Sequence, residues 1–222
     1  MLKRKLPYLL LLFVMPVLGW IYELLNNHSI NSRNVMLPLD NQIPFLSVFI
    51  IPYVIWYLYI LGYLIYFCFK DTKVYIQALT TIVLGEIICF IVYYCFQTTV
   101  PRPAVTGEGI LVSLVQFIYA NDQPYNCFPS IHVLTTFIIM VCSSKIKDKH
   151  VLNTLFIQAM GVLIIASTLF VKQHAILDVI GSIVLVSFVY SLVTNKSVVS
   201  VKELMFESPP EKTRVLVNNQ HK

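Results

Sequence analysis

The sequence predicts an all-α fold: a polytopic bundle of six transmembrane helices, with a short interfacial helix before the fourth span. Three observations predict it. Only 12% of the 222 residues are charged, about half of the roughly 25% found in soluble domains. Apolar residues make up 57% of the chain, more than a soluble globule of this size can cover with polar side chains. These residues also fall into six separate apolar stretches.

The same composition excludes three other classes of protein. A chain this apolar is neither disordered nor a nucleic-acid binder built on basic patches, and it is not a disulfide-stapled mini-protein. The five cysteines are an odd number, and the sequence contains neither a CxxC motif nor a Cys/His ligand spacing. We therefore expect neither a disulfide framework nor a zinc site. The chain also has no glycine-rich phosphate loop, and we expect no cofactor.

The first predicted span is Leu6–Leu25, which follows the basic residues 3–5. A basic start and an apolar run also occur in signal peptides. However, this stretch has no small-x-small cleavage site and carries the bulky Trp20 and Tyr22 where such a site would lie. An uncleaved membrane anchor is therefore the better interpretation.

The remaining predicted spans differ in length. Most approach the ~20 residues that a helix needs to cross a ~30 Å hydrocarbon core, but the fourth has only about 13. The stretch Ile110–Ala120 is also too short, and we interpret it as an interfacial or re-entrant helix. The second to sixth spans are Phe45–Phe69, Val74–Phe96, Ile131–Ser143, Val151–Val171 and Ala175–Thr194.

The distribution of basic residues predicts the orientation. With six spans, 13 of the 16 lysines and arginines fall on one side, and only Arg33, Arg102 and Lys172 fall on the other. The positive-inside rule then places both termini in the cytoplasm of a multi-pass cell-membrane protein. Residues 1–194 would form the membrane domain and residues 195–222 a cytoplasmic tail. If Ile110–Ala120 were a seventh span, every later loop would change sides, and the basic residues would no longer collect on one side.

Three segments on the charge-poor outer side carry candidate functional residues. In one of them, His174 and Asp178 are four residues apart, so a helix that begins near residue 173 stacks them on one face. A carboxylate bonded to one imidazole nitrogen leaves the other nitrogen free to attack or to accept a proton. In the alternative interpretation, Asp178 interacts with the helix dipole and His174 is an ordinary interfacial histidine.

The second segment is Pro129-Ser130-Ile131-His132 at the start of the fourth span. Ser130 has the position of a helix N-cap, and open backbone N–H groups at a helix start attract anions such as phosphate. His132 lies in the first turn, where it could protonate a leaving oxygen. The alternative is an ordinary capped helix with an incidental histidine.

The third segment holds Arg102 between Pro101 and Pro103, which keep the backbone extended. A guanidinium group offers paired donors to a phosphate, although Arg102 could instead anchor to lipid headgroups. Lys172, two residues before His174, is a second cation on this face.

Together the three segments supply a nucleophile, its orienting carboxylate, a general acid and an anion-binding helix end flanked by cations. These are the components of phosphoryl transfer through a phosphohistidine, and no metal is required. We therefore predict one site formed by His174, His132, Asp178, Arg102, Ser130 and Lys172.

These residues resemble the type 2 phosphatidic acid phosphatase superfamily of membrane lipid phosphatases and phosphotransferases. The pattern of that family is Lys-x6-Arg-Pro, then Pro-Ser-Gly-His, then Ser-Arg-x5-His-x3-Asp. The chain matches it at Arg102-Pro103, at Pro129-Ser130 with His132, and at Ser167, His174 and Asp178. It departs at Cys95, Ile131 and Thr168, which replace the lysine, the glycine and the arginine.

The resemblance implies that His174 is the nucleophile, Asp178 its orienting carboxylate and His132 the general acid. It also implies that Arg102 and Ser130 bind phosphate. Lys172 is a candidate to compensate partly for the two missing cations. The bulky residue before His132 and the threonine after Ser167 are similar to the branch of inositol phosphorylceramide synthase-like transferases.

Three functional hypotheses follow from this resemblance. The first is an enzyme that hydrolyses a lipid phosphate or diphosphate at the outer face, with phosphatidic acid, phosphatidylglycerophosphate and polyprenyl diphosphate as candidate substrates. The second is a phosphotransferase in which an alcohol replaces water. The third is a non-catalytic lipid-binding or transport protein on the same scaffold. The chain gives no indication of its oligomeric state.

Overall fold

The computed structural model describes residues 2–26, 31–147 and 149–195. The predicted cytoplasmic tail lies, apart from Asn195, outside the described residues. The described chain is mostly helical, as predicted, and its α-helices are α1 (Leu2–Leu10), α2 (Val14–Asn26), α3 (Ile50–Lys70), α4 (Thr72–Cys95), α5 (Ile110–Asn121), α6 (Ile131–Ser143), α7 (Val151–Phe170) and α8 (Ile176–Asn195).

Among the described residues, five helical stretches are long and apolar enough to cross a membrane: Lys3–Asn26, Ser47–Lys70, Thr72–Cys95, Val151–Phe170 and Ile176–Asn195. In the first of these, a short 3-10 turn joins α1 to α2. The predicted bounds of α6 are confirmed, but its 13 residues rise only about 20 Å, less than a ~30 Å hydrocarbon core. The count of six spans and the interfacial position of α5 therefore stay predictions.

The all-α prediction misses one small feature. Residues Arg33–Asn34 (β1) pair in parallel with Thr98–Thr99 (β2), and Thr99 forms a further bridge with Tyr125. These pairs connect three loops at one end of the bundle. Loops that gather away from water must find partners for their backbone groups, and short strand pairings supply them.

Helix α6 lies at the centre of the bundle, where it packs against α3, α4, α7 and α8. Its inward residues, including Leu134, Ile138 and Ile139, are fully buried. Large apolar side chains such as Leu58 and Tyr94 are instead exposed on the outer faces of α3 and α4. An apolar exterior around an apolar core is the distribution that a lipid environment favours.

The loops that carry the candidate site collect at one end of the bundle. At that end, the Asn26 side-chain amide at the close of α2 donates to the Asp122 carboxylate, 2.8 Å away. At the opposite end, the Lys5 ammonium group donates to the Thr72 hydroxyl group at the start of α4. The first helical stretch therefore runs from the basic end of the bundle to the end that holds the candidate site.

An irregular segment, residues 122–130, fills the space that the short α6 leaves at this end. Side chains from the end of α4 and from β2 satisfy its backbone groups. The Thr98 hydroxyl oxygen accepts from the Phe128 N–H at 2.8 Å, the Tyr93 hydroxyl group donates to the Pro129 carbonyl, and the Thr99 hydroxyl group donates to the Pro124 carbonyl at 2.6 Å. With these bonds the irregular segment is held against the bundle, and it leads directly into Ser130 and His132.

Candidate active site

His174 and Asp178 are in contact, with Nδ1 3.3 Å from Oδ2. The expectation that one helix carries both residues is wrong, because α8 begins at Ile176 and His174 lies in the preceding turn. The turn is held by the carbonyl of Thr168 near the end of α7, which accepts from the His174 N–H at 3.1 Å. The backbone between two helices, and not a helix face, therefore brings the pair together.

The partners of His174 determine its tautomer. Its Nδ1 lies 3.1 Å from the Cys127 carbonyl oxygen as well as 3.3 Å from the Asp178 carboxylate. Both partners are acceptors, so Nδ1 carries the proton and donates. Nε2 then keeps its lone pair, which is the arrangement that a nucleophilic imidazole needs.

The Asp178 carboxylate has two roles at once. Its Oδ2 accepts from the Ala175 N–H at 2.7 Å and so caps the start of α8, in addition to contacting His174. The two interpretations of Asp178, helix-dipole partner and orienting group, are therefore compatible. Asp178 is fully buried, and its second oxygen, Oδ1, has no hydrogen-bond partner among the described residues.

Ser130 is the N-cap of α6, as predicted: its hydroxyl oxygen accepts from the Val133 N–H at 3.3 Å. The Ser130 N–H donates to the Asp178 carbonyl at 3.4 Å, and the Ser182 hydroxyl group donates to the Ser130 carbonyl at 2.9 Å. These bonds fix the beginning of α6 against α8, so the residues that follow Ser130 face the His174–Asp178 pair.

His132 is held between two aromatic side chains of α3. Its ring centroid lies 4.6 Å from that of Tyr53 and 4.1 Å from that of Trp56. The His132 and His174 rings are 5.9 Å apart between centroids. Nε2 of His132 is buried and has no partner within the described part of the chain. The two histidines thus approach each other from different helices, and one His132 nitrogen is unengaged.

Arg102 is fixed beside the turn that carries His174. Its guanidinium group lies 4.5 Å above the ring of Tyr119. Nη1 donates to the Asp122 carbonyl at 2.7 Å, and Nη2 donates to the side-chain oxygen of Gln173. Nε is buried without a partner among the residues that the structure describes. Gln173, the residue next to the candidate nucleophile, therefore links Arg102 to the turn that carries His174.

Lys172 makes structural contacts in this conformation. Its ammonium group donates to the carbonyls of Asp40 and Ile43, at 3.0 and 2.5 Å. The buried Asp40 carboxylate in turn accepts from the Ile176 N–H at 2.8 Å and so provides a second acidic cap for α8. Lys172 thus ties the loop after β1 to the turn before α8.

An open pocket of ≈ 790 Å³ adjoins these two cations. Arg102 and Lys172 line it, together with residues from the loop after β1 and from the Pro101–Pro103 turn. Neither His132 nor His174 is in the lining. The pocket is therefore a space beside the histidines and not the position of the reacting atom.

The two positions at which the family pattern has cations contribute none here. Cys95 is exposed at the end of α4. The hydroxyl groups of Ser167 and Thr168 are buried and donate to carbonyls one turn earlier in α7, those of Ile164 and Ile165. Neither hydroxyl group has a free proton to donate, so an anion at this site would have to be bound by other groups.

Unpartnered polar atoms concentrate around this site. Six buried side-chain nitrogens or oxygens of the described residues have no hydrogen-bond partner, and each such group costs about 1–3 kcal/mol. Five belong to residues of the site or to their immediate neighbours, and four of these five are hydrogen-bond donors or nitrogens that can carry a proton. The five are Tyr53 Oη, Arg102 Nε, His132 Nε2, Gln173 Nε2 and Asp178 Oδ1.

One group of side chains could also hold a metal ion. Ligand atoms of Cys127, His174 and Asp178 lie within 4.8 Å of one another, a constellation that no local spacing in the sequence indicated. Burial, followed by the negative charge of Asp178, raises the pKa of the Cys127 thiol. The thiol therefore stays protonated at neutral pH, where a thiolate ligand would require deprotonation.

Sequence reasoning missed several residues of this region. Gln173 had a usable signal, since it is adjacent to His174, and Asp40 is one of the few acidic residues of the outer loops. Tyr53 and Trp56 had none, because in a chain that is 13% aromatic nothing distinguishes them from lipid-facing aromatics.

Comparison with known proteins places the chain in a family. A search of the curated proteins and a search of the solved structures gave no match. The family model described as the PAP2 superfamily matches residues 19–192, which include α3 to α7, most of α8 and every residue of the candidate site. The chain therefore belongs to the PAP2 superfamily, the type 2 phosphatidic acid phosphatases that its motifs resemble.

Proposed function

We propose that the protein is an integral-membrane enzyme that hydrolyses a lipid phosphate or diphosphate through a phosphohistidine on His174. The observation that carries this proposal is the pair of histidine rings 5.9 Å apart amid unpartnered donors. Rings at this distance can both contact one phosphoryl group, His174 through the phosphorus and His132 through the leaving oxygen.

In the first step, Nε2 of His174 attacks phosphorus and the bond from phosphorus to the leaving oxygen breaks. The electron pair goes to that oxygen, which takes a proton from His132. A lipid monophosphate leaves as an alcohol and a lipid diphosphate as a monophosphate. Asp178 stabilises the charge that develops on His174 through the contact with Nδ1.

In the second step, water attacks the phosphorus of the phosphohistidine and gives its proton to His132, which now acts as a base. The P–N bond breaks, its electron pair returns to Nε2, and inorganic phosphate is released. The N–H groups at the start of α6 and the unpartnered Nε of Arg102 are suited to stabilising the phosphate oxygens. The cycle requires no metal ion.

The proposed site faces the outer side of the cell membrane, with both termini in the cytoplasm, because the basic loops lie at the other end of the bundle. The lipid tail would stay in the bilayer against the apolar exterior. Only the head group would then need to reach the histidines, from a position beside the short α6.

The pocket beside Arg102 and Lys172 favours phosphotransfer as a second candidate function. Its ≈ 790 Å³ gives room for a polar head group next to the phosphate position, where an acceptor alcohol would bind. An alcohol that attacks the phosphohistidine in place of water gives a new phosphoester by the same chemistry. Transfer to an added lipid alcohol at the expense of phosphate release would identify this reaction.

The test is a phosphate-release screen of the purified protein over phosphatidic acid, phosphatidylglycerophosphate and polyprenyl diphosphate. We expect release from at least one of these lipids, and loss of at least about 10³-fold in His174→Ala, because no other group replaces a covalent nucleophile. A matched control is His150→Ala, since His150 caps α7 at the opposite end of the bundle.

Activity that survives His174→Ala unchanged would contradict the assigned nucleophile. Binding of lipid phosphates without phosphate release or phosphotransfer would instead favour the non-catalytic scaffold hypothesis.

A further inference from the structure

Tyr53 lies in the first turn of α3, outside all three parts of the family pattern. Its side chain is 2% exposed and packs in a small apolar cluster with Val115 and Val171. Its hydroxyl oxygen is buried and has no hydrogen-bond partner among the described residues. A buried hydroxyl group with no partner is unfavourable, so this one calls for an explanation.

Other tyrosines of the bundle donate their hydroxyl groups to backbone carbonyls. The hydroxyl group of Tyr59, two turns later in α3, donates to the Ile157 carbonyl at 2.9 Å. Tyr75 donates to the Tyr8 carbonyl at 2.7 Å, and Tyr119 donates to the Val171 carbonyl at 2.7 Å. Each of these groups stabilises a helix contact, whereas the Tyr53 hydroxyl group stabilises none.

The position of Tyr53 indicates a ligand. Its ring stacks on His132, with centroids 4.6 Å apart and planes at 27°. The cluster that contains Tyr53 also includes Tyr119, whose ring carries the Arg102 guanidinium group. Tyr53 therefore contacts the proposed general acid and packs in the same cluster as the ring that carries the proposed phosphate-binding arginine.

The chain lacks two cations of the family pattern. The side chains that stand in their place, Cys95 and Thr168, do not donate hydrogen bonds into the site. Cys95 is exposed, and the Thr168 hydroxyl group donates within its own helix. A phosphate between the histidines has oxygens that need additional donors. A phenolic hydroxyl group is a neutral donor that can reach such an oxygen without adding a buried charge.

From these observations we infer that the Tyr53 hydroxyl group donates a hydrogen bond to the bound phosphate and replaces part of the missing cationic contact. The inference rests on the proposed function, since it assumes that a phosphate enters between His132 and His174. It assigns to α3 a direct part in substrate binding, in addition to holding the His132 ring.

The test is Tyr53→Phe, which removes the hydroxyl oxygen and keeps the aromatic ring that stacks on His132. Orthovanadate is the probe, because it resembles phosphate and its binding can be measured without turnover. We expect Tyr53→Phe to weaken vanadate binding by about tenfold or more, the effect of losing a hydrogen bond to a charged group. The thermal unfolding midpoint should stay the same or rise, since an unsatisfied polar group is removed.

The matched control is Tyr59→Phe in the same helix, which removes a hydroxyl group that has a structural partner. It should lower the unfolding midpoint and leave vanadate affinity unchanged.

Two results would overturn the inference. If the Tyr53→Phe variant binds vanadate as tightly as the wild type, the hydroxyl group is not a phosphate ligand. The proposed function would be unaffected by that result. A wild type that neither binds vanadate nor releases phosphate would overturn the proposed function and, with it, the role of Tyr53.

Discussion

At the residue scale, the backbone between two helices, and not a helix face, orients His174, the proposed nucleophile. Its Nδ1 is held by the Cys127 carbonyl and the Asp178 carboxylate, which come from two distant parts of the chain. Lys172, two residues earlier, has a φ of +53°, a conformation that non-glycine residues adopt only rarely. The carbonyls that bind its ammonium group help to hold this turn.

Asp178→Asn should lower kcat by about 10²-fold or more, because the neutral amide no longer stabilises positive charge on His174. KM should change little, since Asp178 does not contact the substrate. Steady-state kinetics on the preferred lipid phosphate measures both.

Asp40→Asn is the matched control, because Asp40 caps the same helix start through the Ile176 N–H. If the two carboxylates acted only on the dipole of α8, both substitutions would have similar small effects. Equal loss of activity in the two variants would therefore contradict the orienting role of Asp178.

Cys127 leads to a prediction about thiophilic ions and pH. Cd²⁺ should inhibit the enzyme by binding Cys127, His174 and Asp178, whose ligand atoms lie within 4.8 Å, and Cys127→Ser should weaken this inhibition. Because burial raises the pKa of the thiol, the ion must displace a proton at neutral pH. The apparent affinity for Cd²⁺ should therefore rise with pH, by up to about tenfold per unit below that pKa.

Inhibition curves at several pH values, for the wild type and Cys127→Ser, measure this effect. Inhibition that is independent of pH, or equal in the two proteins, would indicate that Cd²⁺ acts elsewhere.

At the element scale, the length of α6 decides where the site lies. The sequence predicted its bounds correctly, because Pro129 and Ser130 mark its start. It did not predict what fills the rest of the bundle at that end. Segment 122–130 has no periodic apolar pattern, and its buried position depends on hydrogen bonds from Tyr93, Thr98 and Thr99, which only the folded chain brings near.

Gly181 in α8 allows this segment to approach closely. A Cβ atom there would lie 2.4 Å from Cε2 of the Phe128 ring. Gly181→Ala should therefore displace Phe128 and cost about 1–3 kcal/mol of stability, as overpacking usually does. It should also reduce activity, because Phe128 precedes Pro129 and Ser130. Unfolding in mixed micelles measures the free energy.

Two further variants control this prediction. A Cβ atom at Gly62 in α3 would have no neighbour within 4 Å, so Gly62→Ala should not destabilise the protein. In a Phe128→Ala background the effect of Gly181→Ala should shrink, because the clashing ring is absent. An undiminished effect in that background would show that Phe128 is not the cause.

At the scale of the whole molecule, composition and apolar runs were enough to predict a helical membrane bundle. Motif spacing, which is local in the chain, singled out the six candidate residues, and their roles stay predictions. The partners of those residues were not predictable in the same way. The contacts of His132 with Tyr53 and Trp56, the link from Arg102 to Gln173 and the bonds of Lys172 all join segments that are far apart in the sequence.

The orientation in the membrane is a prediction that cysteine labelling can test. The background is Cys95→Ser, since the other four cysteines are buried. Glu108 and Lys147 are exposed in loops at opposite ends of the bundle. A membrane-impermeant maleimide on intact cells should label Glu108→Cys and not Lys147→Cys, and both should react after permeabilisation. The reverse pattern would invert the topology.

The central claim is that His174 forms a covalent bond to phosphorus, and trapping this intermediate tests it most directly. The purified protein would be mixed with a ³²P-labelled lipid phosphate, quenched in alkali because phosphohistidine is labile to acid, and digested for mass spectrometry. The account predicts phosphate on the peptide that contains His174 and none in His174→Ala. Substrate consumption with the label on another residue, or with no covalent label in a single turnover, would contradict it.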